Sequence, residues 1–259
     1  MGEMDSPDYG FDGDFNTVSA RDQVAILGGV FTALLGATAF NLSHGRRGTA
    51  CLTGGSAALL AATAASFVHT TRRGKFAVWR EILDELQLRG DETLLDLGCG
   101  RGAVLLAAAK RLPNGRAIGV DLWRADQTGN SPQQTHANAV LEGVAERVEV
   151  RTGDMTDLPF DDASVDVVVS SLAIHNIPDR VGRARALDEA IRVLRPGGRL
   201  AIVDIWDTRR HTERLRSRGW HDAQRRNLGW RMWWGGPHVG THLVTATKPA
   251  DLAGTAGTG

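Results

Sequence analysis

The stretch Leu94–Leu106, LLDLGCGRGAVLL, decides how this chain is read. An apolar run ends at Leu97, a glycine-rich bend follows, and an apolar helical segment begins at Ala103. The order is strand, tight turn, helix. Gly98, Gly100 and Ala103 fit the dinucleotide spacing G-x-G-x-x-G/A, while Gly98, Gly100 and Gly102 fit the tighter G-x-G-x-G of another cofactor class. The turn alone leaves both open.

Working outward, apolar runs bounded by turn residues recur at 93–97, 116–120, 148–151, 165–170, 199–204 and 242–247. Helix-like segments at 103–112, 132–142 and 181–193 lie between most of them. The alternation predicts an α/β fold with a doubly wound, mainly parallel sheet. Ligands of such sheets bind beyond the carboxyl ends of the strands, near the point where strand order reverses. The glycine turn occupies that location. Phe76, Trp79, Ile82, Leu83 and Leu86 recur at helical spacing and predict a leading helix packed on the sheet.

A chain of 259 residues suffices for one sizeable α/β domain with an appendage. Its 30 basic and 30 acidic residues cancel, so global charge gives no pointer to nucleic acid. Cys51 and Cys99 stand in unrelated contexts, which suits a reducing compartment better than a disulfide framework. No His/Cys cluster has metal-ligand spacing, and no metal is expected.

The appendage is N-terminal. Residues 1–22 form an acidic leader expected to be disordered, and residues 250–259 a flexible tail. Between Gln23 and Ser43, and again between Gly48 and Val68, no residue is charged. Both lengths suit a helix crossing a hydrocarbon layer, so residues 23–71 are expected to form a two-helix transmembrane hairpin. The alternative, a pair of Ala-rich helices inside a soluble protein, fits an average globular helix length less well. Small residues recur every fourth position, at Gly28, Thr32 and Gly36 and at Gly54, Ala58, Ala62 and Ser66, a spacing that lets helices approach closely. Arg46 and Arg47 occupy the connector, whereas Arg21, Arg72, Arg73, Lys75 and Arg80 flank the outside. That bias puts the main domain, residues 75–249, on the cytoplasmic side of a cell membrane.

Four features outside the glycines bear on the cofactor. Asp96 lies two residues before Gly98, where a carboxylate can fix the turn or meet a cationic ligand group. Asp121 ends the second strand, 23 residues after Gly98, and suits a pair of ribose hydroxyls. Asp154 and Met155 follow the third strand, and a Pro-Gly-Gly turn at 196–198 leads into the fifth. In this order and spacing, over roughly residues 91–203, the set resembles the class I S-adenosylmethionine-dependent methyltransferases of the small-molecule type 11 kind.

The resemblance implies a seven-stranded Rossmann-like sheet and S-adenosyl-L-methionine as cofactor. Asp96 and the backbone of Gly98 and Gly100 would hold the methionine part, with Gly102 serving binding or helix packing. Asp121 would hold the ribose, Leu122 one adenine face, Asp154 with Met155 the adenine, and Ser170 would offer its backbone carbonyl to the amino group. His175, after the fourth strand, is the first candidate base, and Asp204, ending the fifth, the second. The segment WRADQTGNSPQQ, from Trp123, reads as a lid or an ordered loop.

The expected function is methyl transfer to a small acceptor, hydrophobic or lipid-like, at the membrane. An NAD(P)-dependent oxidoreductase accounts for Gly98, Gly100, Ala103 and Asp121 but leaves Asp96 and Asp154 unexplained. A non-catalytic, membrane-anchored cofactor-binding module stays open too. Between Arg195 and Arg231 stand ten arginines against four acidic residues, interleaved with Trp206, Trp220 and Trp230 and followed by Trp233 and Trp234. That composition suits a headgroup layer, or equally a hairpin with tryptophans inside and arginines solvated.

Overall fold

The computed structural model describes residues 6–13, 18–124 and 126–250. Seven strands form one sheet in the order β3-β2-β1-β4-β5-β7-β6. They are β1 (Thr93–Leu97), β2 (Arg116–Asp121), β3 (Val148–Thr152), β4 (Val165–Ser171), β5 (Leu194–Asp204), β6 (Gln224–Asn227) and β7 (His242–Thr247). Pairing is parallel from β3 through β5, and β7 runs antiparallel to both β5 and β6. The sheet is therefore doubly wound, as expected, with one antiparallel edge.

The apolar residues of β1 and β4 face both sides of the sheet because helices cover both faces. Leu94, Val167 and Val169 pack into the core beneath α3 (Lys75–Glu85) and α4 (Ala103–Ala109). Leu95, Leu97 and Val168 alternate into the opposite core with Leu187, Ala190 and Leu215, from α6 (Arg180–Val193) and α7 (Thr208–Ser217). Each such fully buried Leu or Val contributes about 1.5–3 kcal/mol. The remaining long helix, α5 (Pro132–Leu141), is capped by the Ser131 hydroxyl accepting from Gln134 N–H.

Two helices precede the sheet, α1 (Ala20–Ser43) and α2 (Arg47–His69). Both are long and apolar enough to cross a membrane, and they pack on each other while their outer faces, with Leu27, Val30, Leu52 and Leu59, stay exposed. Thr38 Oγ1 donates to Thr53 Oγ1 across the pair at 2.8 Å, beside Gly54. Gly28 and Gly36 face open space, so the small-residue repeat of the first helix does not form the contact. The second helix does not stop before the domain. It passes through a π turn at Thr70–Gly74 straight into α3, giving one helical rod over Arg47–Glu85.

The leader departs from its expected disorder over residues 6–13. Its acidic and aromatic side chains find specific partners that composition does not reveal. Asp8 pairs with Arg101 at 2.8 Å, Tyr9 donates to Glu142 at 2.6 Å, and Asp12 pairs with the buried Lys75 at 2.6 Å. Arg72 also lies over the Phe11 ring, 4.2 Å from its centroid. The tail expected over residues 250–259 lies, apart from Ala250, outside the described residues.

Candidate functional site

From β1 the chain steps outward to β2 and β3, and from β4 in the opposite direction to β5. The crevice above the β1/β4 boundary is thus the switch point of the sheet. A cleft of about 890 Å³ opens there. Asp96, Gly98, Gly100, Asp121, Leu122, Asp154, Met155 and His175 all line it. Of the residues singled out in the sequence, Gly102, Ser170 and Asp204 do not.

The glycine turn is held from the neighbouring strand. Gly98 N–H donates to Val120 O at 2.8 Å, and Gly100 N–H to Asp121 Oδ2 at 2.8 Å. Asp121 Oδ1 accepts in addition from Trp123 N–H at 2.6 Å. Gly98 has φ of 73°, and a Cβ there would overlap that of Ala173, so two separate constraints require glycine. Gly102 serves packing: a Cβ would press on Leu106 and Thr135, away from the cleft.

Asp96 is 1% exposed, and neither of its carboxyl oxygens has a partner within hydrogen-bond geometry. Burial, then repulsion from Asp121, pushes its pKa up to about 8, against a weak opposing pull from the Leu105 N–H. Asp126 is raised for the same reasons in the same order, burial and then Asp121, while it accepts from Asn176 Nδ2 at 2.9 Å. Three carboxyl groups thus crowd one cleft, an arrangement that favours a cationic ligand and disfavours an anionic one.

Further along the rim, Asp154 is exposed and its Oδ1 accepts from Thr156 N–H at 2.8 Å, an Asx turn that leaves the other oxygen toward solvent. Met155 is half-buried with its methyl close to Gly98, and Leu122 is 40% exposed. Ser170 lies fully buried inside the sheet, with Oγ donating to Leu97 O at 2.8 Å, and β4 runs one residue further than the apolar pattern indicated. Ser171 and Leu172 line the cleft.

Asp204 is also buried, one layer behind His175. Its Oδ2 accepts from His175 N–H at 3.1 Å, and its Oδ1 lies 2.8 Å from His175 Nδ1, off the line of a directed hydrogen bond. The Trp206 ring meets the imidazole edge-on at 5.7 Å between centroids. The histidine is fixed at the cleft wall by a carboxylate that cannot itself reach a ligand.

Several lining residues were not assigned to the cleft from the sequence. Gln127, in the loop after β2, accepts from Arg101 N–H at 2.8 Å and donates to Asp12 at 3.0 Å, stitching the leader to the glycine turn. Asp12, Lys75, Phe67 and Trp234 complete that side of the cleft. The polar segment after Asp121 contains Gln127 alone of this group.

The arginine-rich segment is mostly paired within the domain. Arg214 and Arg218 meet Asp188, Arg226 meets Glu85, and Arg231 meets Glu81. Trp220 is fully buried, whereas Trp206 and Trp230 are about 60% exposed. The hairpin explanation therefore accounts for most of that composition.

Residues 95–202 match the family model described as a methyltransferase domain. An arsenite methyltransferase of Halobacterium salinarum is 41% identical over 118 residues, 45% of this chain and 28% of that protein. A nocamycin O-methyltransferase of Saccharothrix syringae is 38% identical over 127 residues, 49% of this chain and 42% of that protein. A demethylmenaquinone methyltransferase of Lactiplantibacillus plantarum is 35% identical over 128 residues, 49% of this chain and 51% of that protein. The chain spans about half, or less, of the length of these relatives. Among solved structures, the [4+2]-cyclase SpnF superposes with a TM-score of 0.53 at 21% identity, covering 66% of this chain and 80% of that one. A geranyl diphosphate methyltransferase gives 0.50 at 19% identity, covering 66% and 78%. These structures share the fold, and the cyclase among them means that the fold hosts more than one chemistry. Sequence, strand order and crevice agree: residues 95–202 match a methyltransferase domain, and the α/β unit that holds them is similar to the class I S-adenosylmethionine-dependent methyltransferases.

Proposed function

We propose that this chain transfers a methyl group from S-adenosylmethionine to a small, apolar or lipid-like acceptor, with the α1–α2 hairpin spanning a membrane and the domain on its cytoplasmic side. One observation carries the cofactor assignment: Asp96, a buried carboxyl with two unpartnered oxygens, heads a cleft already crowded with carboxylates. An ammonium group supplies the missing partner and relieves the repulsion, whereas a dinucleotide's pyrophosphate adds to it.

Each cleft residue then has a task. Asp96 takes the ammonium of the methionine part, with the Gly98 and Gly100 backbone beside it. Asp121, its carboxylate oriented by two backbone N–H groups, retains acceptor capacity for ribose hydroxyls. Leu122 and Met155 flank the adenine and Asp154 meets its edge. When bound, the cofactor supplies an already activated methyl group on a sulfonium. The protein mainly aligns the acceptor and keeps water away. For an oxygen or nitrogen acceptor, His175 takes the proton, and buried Asp204 stabilises the imidazolium that results.

The tether is supported by the length of α1 and α2, by their exposed apolar faces, and by the basic residues flanking them. The test uses full-length protein in phosphatidylcholine vesicles. Calorimetric titration should show S-adenosylhomocysteine binding and no NADH binding, and labelled methyl should pass into an apolar cell extract, with loss on Asp121→Ala. Binding of NADH alone, or methylation confined to water-soluble molecules, would overturn the assignment.

A further inference from the structure

The rod over Arg47–Glu85 is both apolar span and cleft wall. Phe67 stands at the end of its uncharged stretch, and Phe67, Phe76 and Trp79 all line the cleft. At 1.5 Å per residue, Phe67 to Trp79 covers about 18 Å of wall. One turn beyond Phe67, Arg72 and Arg73 are exposed on the rod, which suits a headgroup layer. The cleft therefore reaches below the level of those two charges, to the depth at which the helix surface becomes wholly apolar.

At that depth the wall is closed by an aromatic contact. The Phe67 and Trp234 rings meet edge to face, with centroids 5.8 Å apart. The loop carrying Trp234 is pinned to the rod. Ser66 Oγ and Thr70 Oγ1 both donate to Trp233 O, at 3.0 and 2.8 Å, and Trp230 stacks on His69 at 4.9 Å. Gly74 leaves room for the Arg231 carbonyl, which any Cβ would overlap. The loop thus belongs structurally to the foot of the hairpin. Within it, the Trp234 indole N–H is buried and has no hydrogen-bond partner, an uncommon condition for a group lining a cavity.

We propose that the Phe67–Trp234 contact is the acceptor's gate. The occupant is a lipid-soluble molecule with an oxygen-bearing head and an apolar tail. It enters from the acyl boundary, the Trp234 N–H donates to the head oxygen, and the tail stays along α2. The gate rests on the membrane-tethered reading above and adds to it a route and a rule of selection: a tail is required, and a charge at the gate is not tolerated.

The test places full-length protein in phosphatidylcholine vesicles with a diazirine-bearing alkylphenol, or with its tail-less analogue, and maps photoadducts by peptide mass spectrometry. S-adenosylhomocysteine binding is measured in the same samples. Adducts from the tailed phenol are expected at Phe67, at Trp234 and in the deeper segment 172–176. Phe67→Arg and Trp234→Arg should each cut the deep adducts about tenfold or more, in line with the cost of an arginine in an apolar layer, with S-adenosylhomocysteine binding retained. Deep labelling unchanged in either cofactor-binding variant, or equal labelling by the tail-less phenol, overturns the gate. Adducts confined to the outer faces of α1 and α2 in the unaltered protein overturn it independently of any variant. Failure of the unaltered protein to bind S-adenosylhomocysteine instead overturns the methyltransferase reading.

Discussion

Asp96, next to last in β1, and Asp121, last in β2, stand on adjacent parallel strands, yet only one of them is satisfied: Asp121 accepts two backbone N–H groups while Asp96 has no partner within hydrogen-bond geometry. Their repulsion, added to burial, raises the Asp96 pKa to about 8 from an ordinary 3.8. The folded, ligand-free chain therefore holds a proton that the unfolded chain releases. Between about pH 4 and pH 8 this group makes stability fall as pH rises, and outside that window it contributes no slope. Asp96→Asn should flatten the dependence and raise stability at pH 8, read by urea denaturation across pH. A slope that persists in the variant assigns it to another group.

The same linkage predicts a proton count. An ammonium beside Asp96 favours the ionised carboxylate, so S-adenosylhomocysteine binding at pH 7 should release most of one proton. Calorimetry in buffers of differing ionisation enthalpy reads this directly. Proton uptake, or no net exchange, would remove Asp96 from the ammonium role.

Gly98→Ala should be costly twice over. The added methyl overlaps Ala173, and the backbone sits at a left-handed φ of 73°. We expect about 1–3 kcal/mol of destabilisation from overpacking, together with loss of cofactor affinity. Gly197→Ala, also at positive φ but with no neighbour within 4 Å, should spare cofactor affinity. Comparable affinity loss in both would show that backbone strain, rather than the crevice, is being measured.

Asp12→Ala leaves the Lys75 ammonium, 5% exposed, without its carboxylate. The expected cost is about 1–3 kcal/mol for an unsatisfied buried charge. Asp12 also anchors Gln127 and so the leader over the glycine turn, and S-adenosylhomocysteine should dissociate faster from the variant. An unchanged off-rate in stopped-flow would restrict the leader to a stabilising role.

His175→Ala should lower kcat by about 10²–10⁴ for an oxygen or nitrogen acceptor while sparing cofactor affinity. Asp204→Asn, acting through the histidine, should lower kcat less. Full activity in His175→Ala would assign the proton transfer elsewhere, or show that none is needed.

The parts of the fold legible in the sequence are those where burial on two faces writes a continuous apolar run. β1 lies where LLDL places it, and β2 and β4 each extend one residue past their apolar stretch. Ser171, the added residue of β4, lines the cleft. β6, QRRN, is exposed throughout and exists through its pairing with β7, with Arg226 held by Glu85, so no hydrophobic pattern announces it. The leader was equally opaque. Tyr9 and Asp12 find partners 133 and 63 residues away, and composition carries no trace of contacts at such separation. The rim carboxylates were legible because strand ends converge on them. Phe67 and Trp234 were not, since an aromatic in an apolar helix and another in a tryptophan-rich loop look the same whether or not they meet.

Under the proposed membrane tether, the unbroken rod over Arg47–Glu85 couples the cleft to its solvent. With no flexible joint between span and cleft, any tilt that matches the apolar stretch to a thinner bilayer swings Phe76 and Trp79 by the same angle. Turnover measured in vesicles of graded acyl length should pass through an optimum, whereas a domain hung on a loose tether would show none. Under the proposed tether the anchor acts as a ruler, with lipid thickness an input to catalysis.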